Sequence, residues 1–282
     1  MWITAHNVCS LIADSRCIDI DEAFRANDVT CLFGTRIKTP YLKPNGCSMS
    51  FAQHSHVYNW GWQPTPFVNR SAGVQIRISK KRYRRKNVTV LPVPHALQGR
   101  LGMIMLHAFN VQAFVCAMYF PPRPILQQHF AAYKKTVDLM LEALYDALYV
   151  LNSSTAVFLA MDNNDGFGTP QNDAGSNMSC IGPIRPQVEH YCSTQLRHMA
   201  YDFSLAVANT FVGGQDTFFS TKHDKSYSSR IDHIFISEGL VLNIEECRIL
   251  TAIGRRLQMQ KCKSRQDHYP LFLAVHYACS RC

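Results

Sequence analysis

Apolar residues in this chain come in short runs that stop abruptly on polar side chains. Val157-Phe158-Leu159-Ala160 gives way to Met161-Asp162-Asn163-Asn164, and Asp232-His233 opens the apolar run 231–236. Asp267-His268 precedes Tyr269-Pro270-Leu271-Phe272-Leu273-Ala274-Val275, while Asn7 sits between His6 and Val8 in the first run. Runs of this length suit buried strands. None approaches the ~18 apolar residues of a membrane span. The pattern predicts strands over 3–8, 29–33, 73–78, 88–93, 103–107, 113–119, 157–160, 218–219, 231–236, 245–251 and 271–277. Residues 73–78 alternate with period two, as a half-buried strand does, and residues 34–66 read as mostly loop.

Helical periodicity is confined to fewer places. Phe130, Tyr133, Val137, Leu141, Leu144 and Leu148 recur at spacings of three and four, which predicts a helix with one core-facing stripe. Shorter signals predict helices over 19–27 and 187–208. Many strands, two main helices and no break in composition predict one α/β domain over residues 1–282, built on sheets. At 47% hydrophobic and 17% charged, the chain does not have the composition of a disordered protein.

The formal charge of +9 favours a polyanionic partner, with nucleic acid ahead of membrane. The run Lys80-Lys81-Arg82-Tyr83-Arg84-Arg85-Lys86 carries six of the basic residues. It reads as a solvated hairpin, as a phosphate-contacting segment, or as a nuclear-localisation signal. Trp60 and Trp62 offer rings for base stacking, although packing beneath a loop is the preferred reading. The N-terminus lacks the basic and apolar regions of a secretion signal, so an intracellular protein is expected, with the nucleus as one location. The 11 cysteines form no repeated Cys-x-x-Cys pair, and only Cys279 and Cys282 have metal-like spacing. In a reducing cell they read as small buried hydrophobes rather than a zinc site.

Strand ends are where α/β proteins place ligands, because rigid scaffold meets open loop there. A turn Asn or a capping Asp explains any one of the polar residues above. Their recurrence at four strand ends asks for more.

Taken in order, the segments resemble a known family. They are His6-Asn7-Val8, Leu32-Phe33-Gly34-Thr35-Arg36, Ala117-Met118-Tyr119-Phe120-Pro121-Pro122, Met161-Asp162-Asn163-Asn164, Ser229-Arg230-Ile231-Asp232-His233 and Gln266-Asp267-His268-Tyr269-Pro270. The endonuclease/exonuclease/phosphatase superfamily, also called DNase-I-like, has a strand with Asn, one ending in Gln-Glu-Thr, and a Tyr before Pro. It continues with Gly-Asp-Phe-Asn, an Arg-x-Asp-His/Tyr strand and a closing Ser-Asp-His before Pro. Residues 73–76 and 99–101 are similar to its intervening strands. In texture the chain resembles the endonuclease domains of non-LTR retrotransposons.

The resemblance implies a four-layer sandwich: two mixed β-sheets packed face to face, with helices on the outer faces. It also implies residue roles. Asp162 would orient or deprotonate the attacking water, and Asn164 would bond the scissile phosphate. His268 would meet the phosphate, held in one tautomer by Asp232. Tyr119 and Asn7 would contact phosphate oxygens, and Asp267 would help bind Mg²⁺ or Mn²⁺. His233, the alternative ring, alternates with Asp232 along its strand and so points to the opposite face. DNA is the implied substrate, with Lys80, Lys81, Arg82, Arg84, Arg85 and Lys86 as candidate contacts. A reverse transcriptase in a longer parent chain is the implied fusion partner.

One departure bears on activity. Where the family has its metal-binding Glu, this chain has Gly34, which offers no ligand, and Glu22 and Asp28 are not at the expected strand end. Weakened metal binding, and activity reduced or lost, is therefore expected. A catalytically dead nucleic-acid-binding remnant and a small-substrate phosphatase or phosphodiesterase are the alternatives.

Overall fold

A computed structural model describes residues 1–38, 52–108, 111–169, 179–222, 225–257 and 266–277; the side chains of 108, 111, 221, 222, 225, 266 and 267 are outside that description. The first six-stranded sheet contains β1 (Trp2–Asn7), β2 (Val29–Phe33), β3 (Ser55–Trp60), β4 (Val74–Ser79), β13 (Ile244–Ile249) and β15 (Leu271–Val275), in the order β13-β15-β1-β2-β4-β3. The second contains β5 (Val88–Val90), β6 (Leu101–Ala108), β7 (Val111–Tyr119), β8 (Ala156–Asp162), β9 (Leu205–Val207) and β12 (Asp232–Ser237), in the order β5-β6-β7-β8-β12-β9. Both are mixed: β1 pairs with β2 and β7 with β8 in parallel, whereas the other ladders are antiparallel. A third, three-stranded sheet runs β11-β10-β14, with β10 (Phe218–Lys222), β11 (Lys225–Ser229) and β14 (Gln266–His268).

Three clusters of buried side chains define four layers. The central one lies between the large sheets and takes Ile3, Ala5, Val29, Cys31, Phe33, Ile76, Val115, Phe158, Ile234 and Leu273 from their facing sides. The outer face of the second sheet packs on α2 (Phe130–Tyr149) and α3 (Tyr191–Asp202) through Phe114, Met118, Val137, Leu144, Leu159, Leu196 and Phe235. The outer face of the first sheet packs on α1 (Asp14–Ala23) through Val8, Cys17, Ile20 and Leu32. Each large apolar side chain buried in this way stabilises the fold by about 1.5–3 kcal/mol. Short helices α4 (Ala208–Phe211) and α5 (Thr251–Arg256) complete the elements. No helix among the described residues is long and apolar enough to cross a membrane.

Four expectations are corrected. β4 is buried on both faces rather than half-buried, because α1 covers its polar side. There Arg77 donates to Gln75 Oε1 (2.5 Å) and to the Cys17 carbonyl (3.2 Å) and pairs with Asp21. The stretch 34–66 contains β3, whose Trp60 ring lies flat on Gly102 of the facing sheet; a Cβ there would come within 2.4 Å of the ring. The helix expected over 187–208 ends at Asp202. Ser204 adopts a left-handed φ of 49°, and the chain reverses into β9. The helix expected over 19–27 is α1, which starts five residues earlier and ends at Ala23. The seven described cysteines are thiols, six of them buried; Cys279 and Cys282 lie outside the described residues.

Candidate active site

Period-two alternation carries four polar side chains to one end of the central layer. Ile3 and Ala5 face inward from β1, so Asn7 does also. The same count places Tyr119 after Ala113, Val115 and Ala117 on β7, and Asp162 after Ala156, Phe158 and Ala160 on β8. On β12, Asp232 shares the inward face of Ile234 and Ile236. The ladders then set these residues side by side. Tyr119 is the register partner of Asp162, and Asp162 that of Asp232, so three neighbouring strands present one polar row.

His268 closes the group from β14 of the small sheet. Its Nδ1 lies 2.9 Å from Asp232 Oδ2, and its Nε2 lies 3.9 Å from Asp162 Oδ2 and 3.5 Å from Asn7 Nδ2. Asn7 reaches across from the facing sheet, donating from Nδ2 to Asp162 Oδ2 (2.8 Å) while its Oδ1 accepts from the Cys9 amide (3.0 Å). Asp162 Oδ1 accepts from the Asn164 amide (3.1 Å), and Asn164 Nδ2 donates to the Phe120 carbonyl (2.9 Å). Asn164 holds a left-handed φ of 54°, which short polar side chains tolerate. The Asn7 side chain lies close enough to the Tyr119 phenol to influence its ionisation, and the Arg100 guanidinium lies 5.1 Å from its ring centre.

Burial governs the electrostatics. Asp162 and Asp232 are fully buried, and His268 nearly so. Burial, and then the neighbouring Asp232 charge, push the Asp162 carboxyl up to about 7. Burial and the Asp162 charge hold the Tyr119 phenol at about 12, so it is neutral and a donor at physiological pH. His233 points to the other face, with Nε2 3.4 Å from the Asp165 carbonyl and its ring edge-on to Phe167 at 4.7 Å. Burial holds that ring neutral, at about 3. It belongs to the outer core.

The structure thus brings together Asn7, Tyr119, Asp162, Asp232 and His268, with Asn164 tied to Asp162. The Asp267 side chain lies outside the described residues, although its backbone pairs with Phe219. Gly34 directly follows Phe33, the register partner of Asn7. It has a φ of +59°, and a Cβ there would come within 2.6 Å of Asn7 Oδ1. Glu22 pairs with Arg25 and His54, and Asp28 with Arg82.

The basic run is not part of this group. Lys80 follows β4, where the chain lies beside Asp28, and Arg82 forms an ion pair with Asp28 (2.8 Å) over the Trp2 ring. Trp2 and Asn7 are opposite ends of β1, about 17 Å apart at ~3.3 Å per residue. All six basic residues are exposed at that far end. Trp62 is half-buried on the site side, where its Nε1 donates to the Arg36 carbonyl (3.1 Å). Arg100 is a site neighbour that strand periodicity did not single out: it occurs in a strand-like stretch and its contact with Tyr119 is non-local.

No protein-family model and no curated protein matches the chain. Solved structures do. A 3′-5′ exonuclease from Neisseria meningitidis is 17% identical with a TM-score of 0.65, covering 98% of this chain and 100% of that one. An AP endonuclease from Leishmania major is 13% identical with a TM-score of 0.67, covering 98% and 88%. The endonuclease domain of TRAS1, a telomere-specific non-LTR retrotransposon, is 13% identical with a TM-score of 0.56, covering 98% of each. The chain therefore has the DNase-I-like fold, the architecture of the endonuclease/exonuclease/phosphatase superfamily.

Proposed function

We propose that this chain is a metal-assisted phosphodiester hydrolase that acts on DNA as an endonuclease, with activity limited by Gly34. The observation that carries the reading is the buried Asp232–His268 pair held against Asp162 and Asn7. The fold is shared with a Neisseria 3′ phosphatase bound to a product DNA hairpin and with the TRAS1 endonuclease domain.

The chemistry follows from the groups present. Asp232 accepts the Nδ1 proton of His268, which fixes the tautomer and leaves Nε2 facing Asp162 and Asn7. Asp162, at about 7, is matched to taking a proton from water at neutral pH. As that water attacks phosphorus, the bond to the leaving ester oxygen breaks and that oxygen takes a proton from solvent. Negative charge grows on the non-bridging oxygens, and donors from Asn7, Tyr119 and, in its doubly protonated form, His268 meet it there. Asn164, locked to the Phe120 carbonyl, keeps the loop after Asp162 in place.

The donor set suits a divalent cation. Asp162, Asp232 and His268 bring ligand atoms within 4.8 Å of one another, and buried Asp232 Oδ1 has no hydrogen-bond partner. Mg²⁺ or Mn²⁺ would be held at Asp232 Oδ1, with Asp267 as a further ligand by resemblance, which leaves Asp162 to take the water's proton. Such an ion neutralises charge on the phosphate and lowers the pKa of water. Gly34 adds no oxygen, so binding is weak.

The chain's net charge of +9 favours a polymeric substrate over a small phosphate ester. Parallel assays on supercoiled plasmid and on p-nitrophenyl phosphate separate these readings. Plasmid nicking without release of p-nitrophenol is expected. The reverse selectivity would assign a small-substrate phosphatase.

A further inference from the structure

Asp232 and His268 enter the site from different sheets, and no ladder joins β12 to β14. Their 2.9 Å contact therefore depends on whatever sets one strand against the other. One fully buried residue outside the site, Thr217, bonds to the start of β12 and to the residue just past β14. Its hydroxyl oxygen accepts from the Asp232 amide (3.0 Å) and from the Ile231 amide (3.2 Å). Its carbonyl accepts from the Tyr269 amide (2.7 Å), the residue after His268, and its own amide donates to the Ser229 carbonyl (3.0 Å). The next residue, Phe218, is the register partner of both Ser229 and His268, and its ring lies 5.0 Å from the imidazole.

We infer that Thr217 is a positioning residue whose hydroxyl sets the Asp232 carboxylate at hydrogen-bonding distance from the His268 ring. The inference rests on the hydrolase reading for its effect on rate, but not for its effect on geometry. The physical argument is one of satisfaction. The Ile231 and Asp232 amides point at Thr217 Oγ1 just where β12 begins, and without that acceptor the buried Asp232 N–H and the part-buried Ile231 N–H both lose their partner. The start of the strand must then shift to find other partners, and the Asp232 side chain moves with it. The Thr217 main chain, bonded beside His268, does not follow. The gap between carboxylate and imidazole therefore opens.

Thr217→Val is nearly isosteric and removes only the acceptor, whereas Thr217→Ser keeps it. Two readouts on the full chain carry the test: the low-field NMR resonance of the His268 Nδ1 proton, and the single-turnover nicking rate on supercoiled plasmid with Mg²⁺. In Thr217→Val the resonance should move upfield or vanish. The nicking rate should fall roughly 10- to 100-fold, as small misplacements of catalytic groups do. Thr217→Ser should restore both. A folded Thr217→Val that melts lower but keeps the parental resonance and rate would overturn the inference and leave Thr217 merely structural. Loss of the resonance with an unchanged nicking rate upholds the positioning role and shows instead that nicking does not run through the Asp232–His268 pair, whereas absence of nicking in the parent itself refutes the hydrolase reading. Should Thr217→Val not fold, Thr217→Cys carries the test, because a thiol accepts weakly. A folded Thr217→Cys with parental values in both readouts would equally overturn it.

Discussion

The His268 imidazole is held between two buried carboxylates, with Nδ1 2.9 Å from Asp232 and Nε2 3.9 Å from Asp162. The two acids differ in what they do. Asp232 is in hydrogen-bonding contact and orients the ring, whereas Asp162 stands off, bonded instead to Asn7 and the Asn164 amide. Asp232→Asn keeps the shape but removes the charge that favours the imidazolium. The nicking rate should drop roughly 100- to 10,000-fold, the span of acid–base contributions. A rate within a few-fold of the parent would show that the imidazolium is not needed.

Gly34→Glu would restore the family's ligand on paper, and the sequence alone leads one to expect a faster enzyme unless Gly34 holds a positive φ that Glu resists. The structure reverses that expectation. The new Cβ would meet Asn7 Oδ1 at 2.6 Å, on a backbone at φ +59° that side chains resist. Asn7 would be pushed off Asp162. Lower melting temperature and no gain in Mg²⁺-dependent nicking are expected, and Gly34→Ala, which adds the Cβ without a ligand, should lose stability similarly. A folded Gly34→Glu that nicks faster at low Mg²⁺ would show that the cradle adapts.

The Asp162 carboxyl sets a stability window. Its value rises from 3.8 unfolded to about 7 folded, mainly through burial. A group raised on folding stabilises fully below its unfolded value, and that contribution is lost as pH rises through the folded one. The metal-free chain should therefore lose stability between about pH 4 and pH 7, and Asp162→Asn should flatten the loss while abolishing nicking. Mg²⁺ should raise the melting temperature more at pH 8 than at pH 5, since it binds the ionised form. Melting curves across this range check the sign, and a parent stabilised by rising pH contradicts it.

The basic run makes a separate prediction. Lys81, Arg84 and Lys86 lie at the far end of β1 from Asn7, so a duplex seated on the site is expected to miss them. The triple change Lys81→Ala, Arg84→Ala, Lys86→Ala should leave nicking and the salt dependence of DNA binding unchanged. A slope lower by roughly one unit per residue removed would place those residues on DNA phosphates.

How much of this was legible in the sequence depends on whether a signal was local. Runs such as 157–160 announce strands, and alternation along 231–236 already sets Asp232 and His233 on opposite faces, whereas the pairing of Asp232 with Asp162 needs the ladder register. The order of motifs points to a sandwich. Arg77 misled because its alternation looked solvent-facing, whereas α1 brings Asp21 and the Cys17 carbonyl to it. β11 and β14 carry too few apolar residues to register, being Lys225–Ser229 and Gln266–His268, although β14 carries the His268 ring. The basic run has an obvious charge signal but no local clue to which end of the sheet it occupies. Thr217 acts through two amides fourteen and fifteen residues away, contacts that only the folded chain shows.

Whether this chain cuts DNA through Asp162 separates a hydrolase from a binding remnant most directly. Conversion of supercoiled plasmid to nicked circles, with Mg²⁺ or Mn²⁺ and with chelator, should be compared between the parent and Asp162→Asn. Slow, metal-dependent nicking by the parent and none by Asp162→Asn is the predicted result. DNA binding by the parent without nicking under either ion, or equal nicking by both proteins, would contradict it.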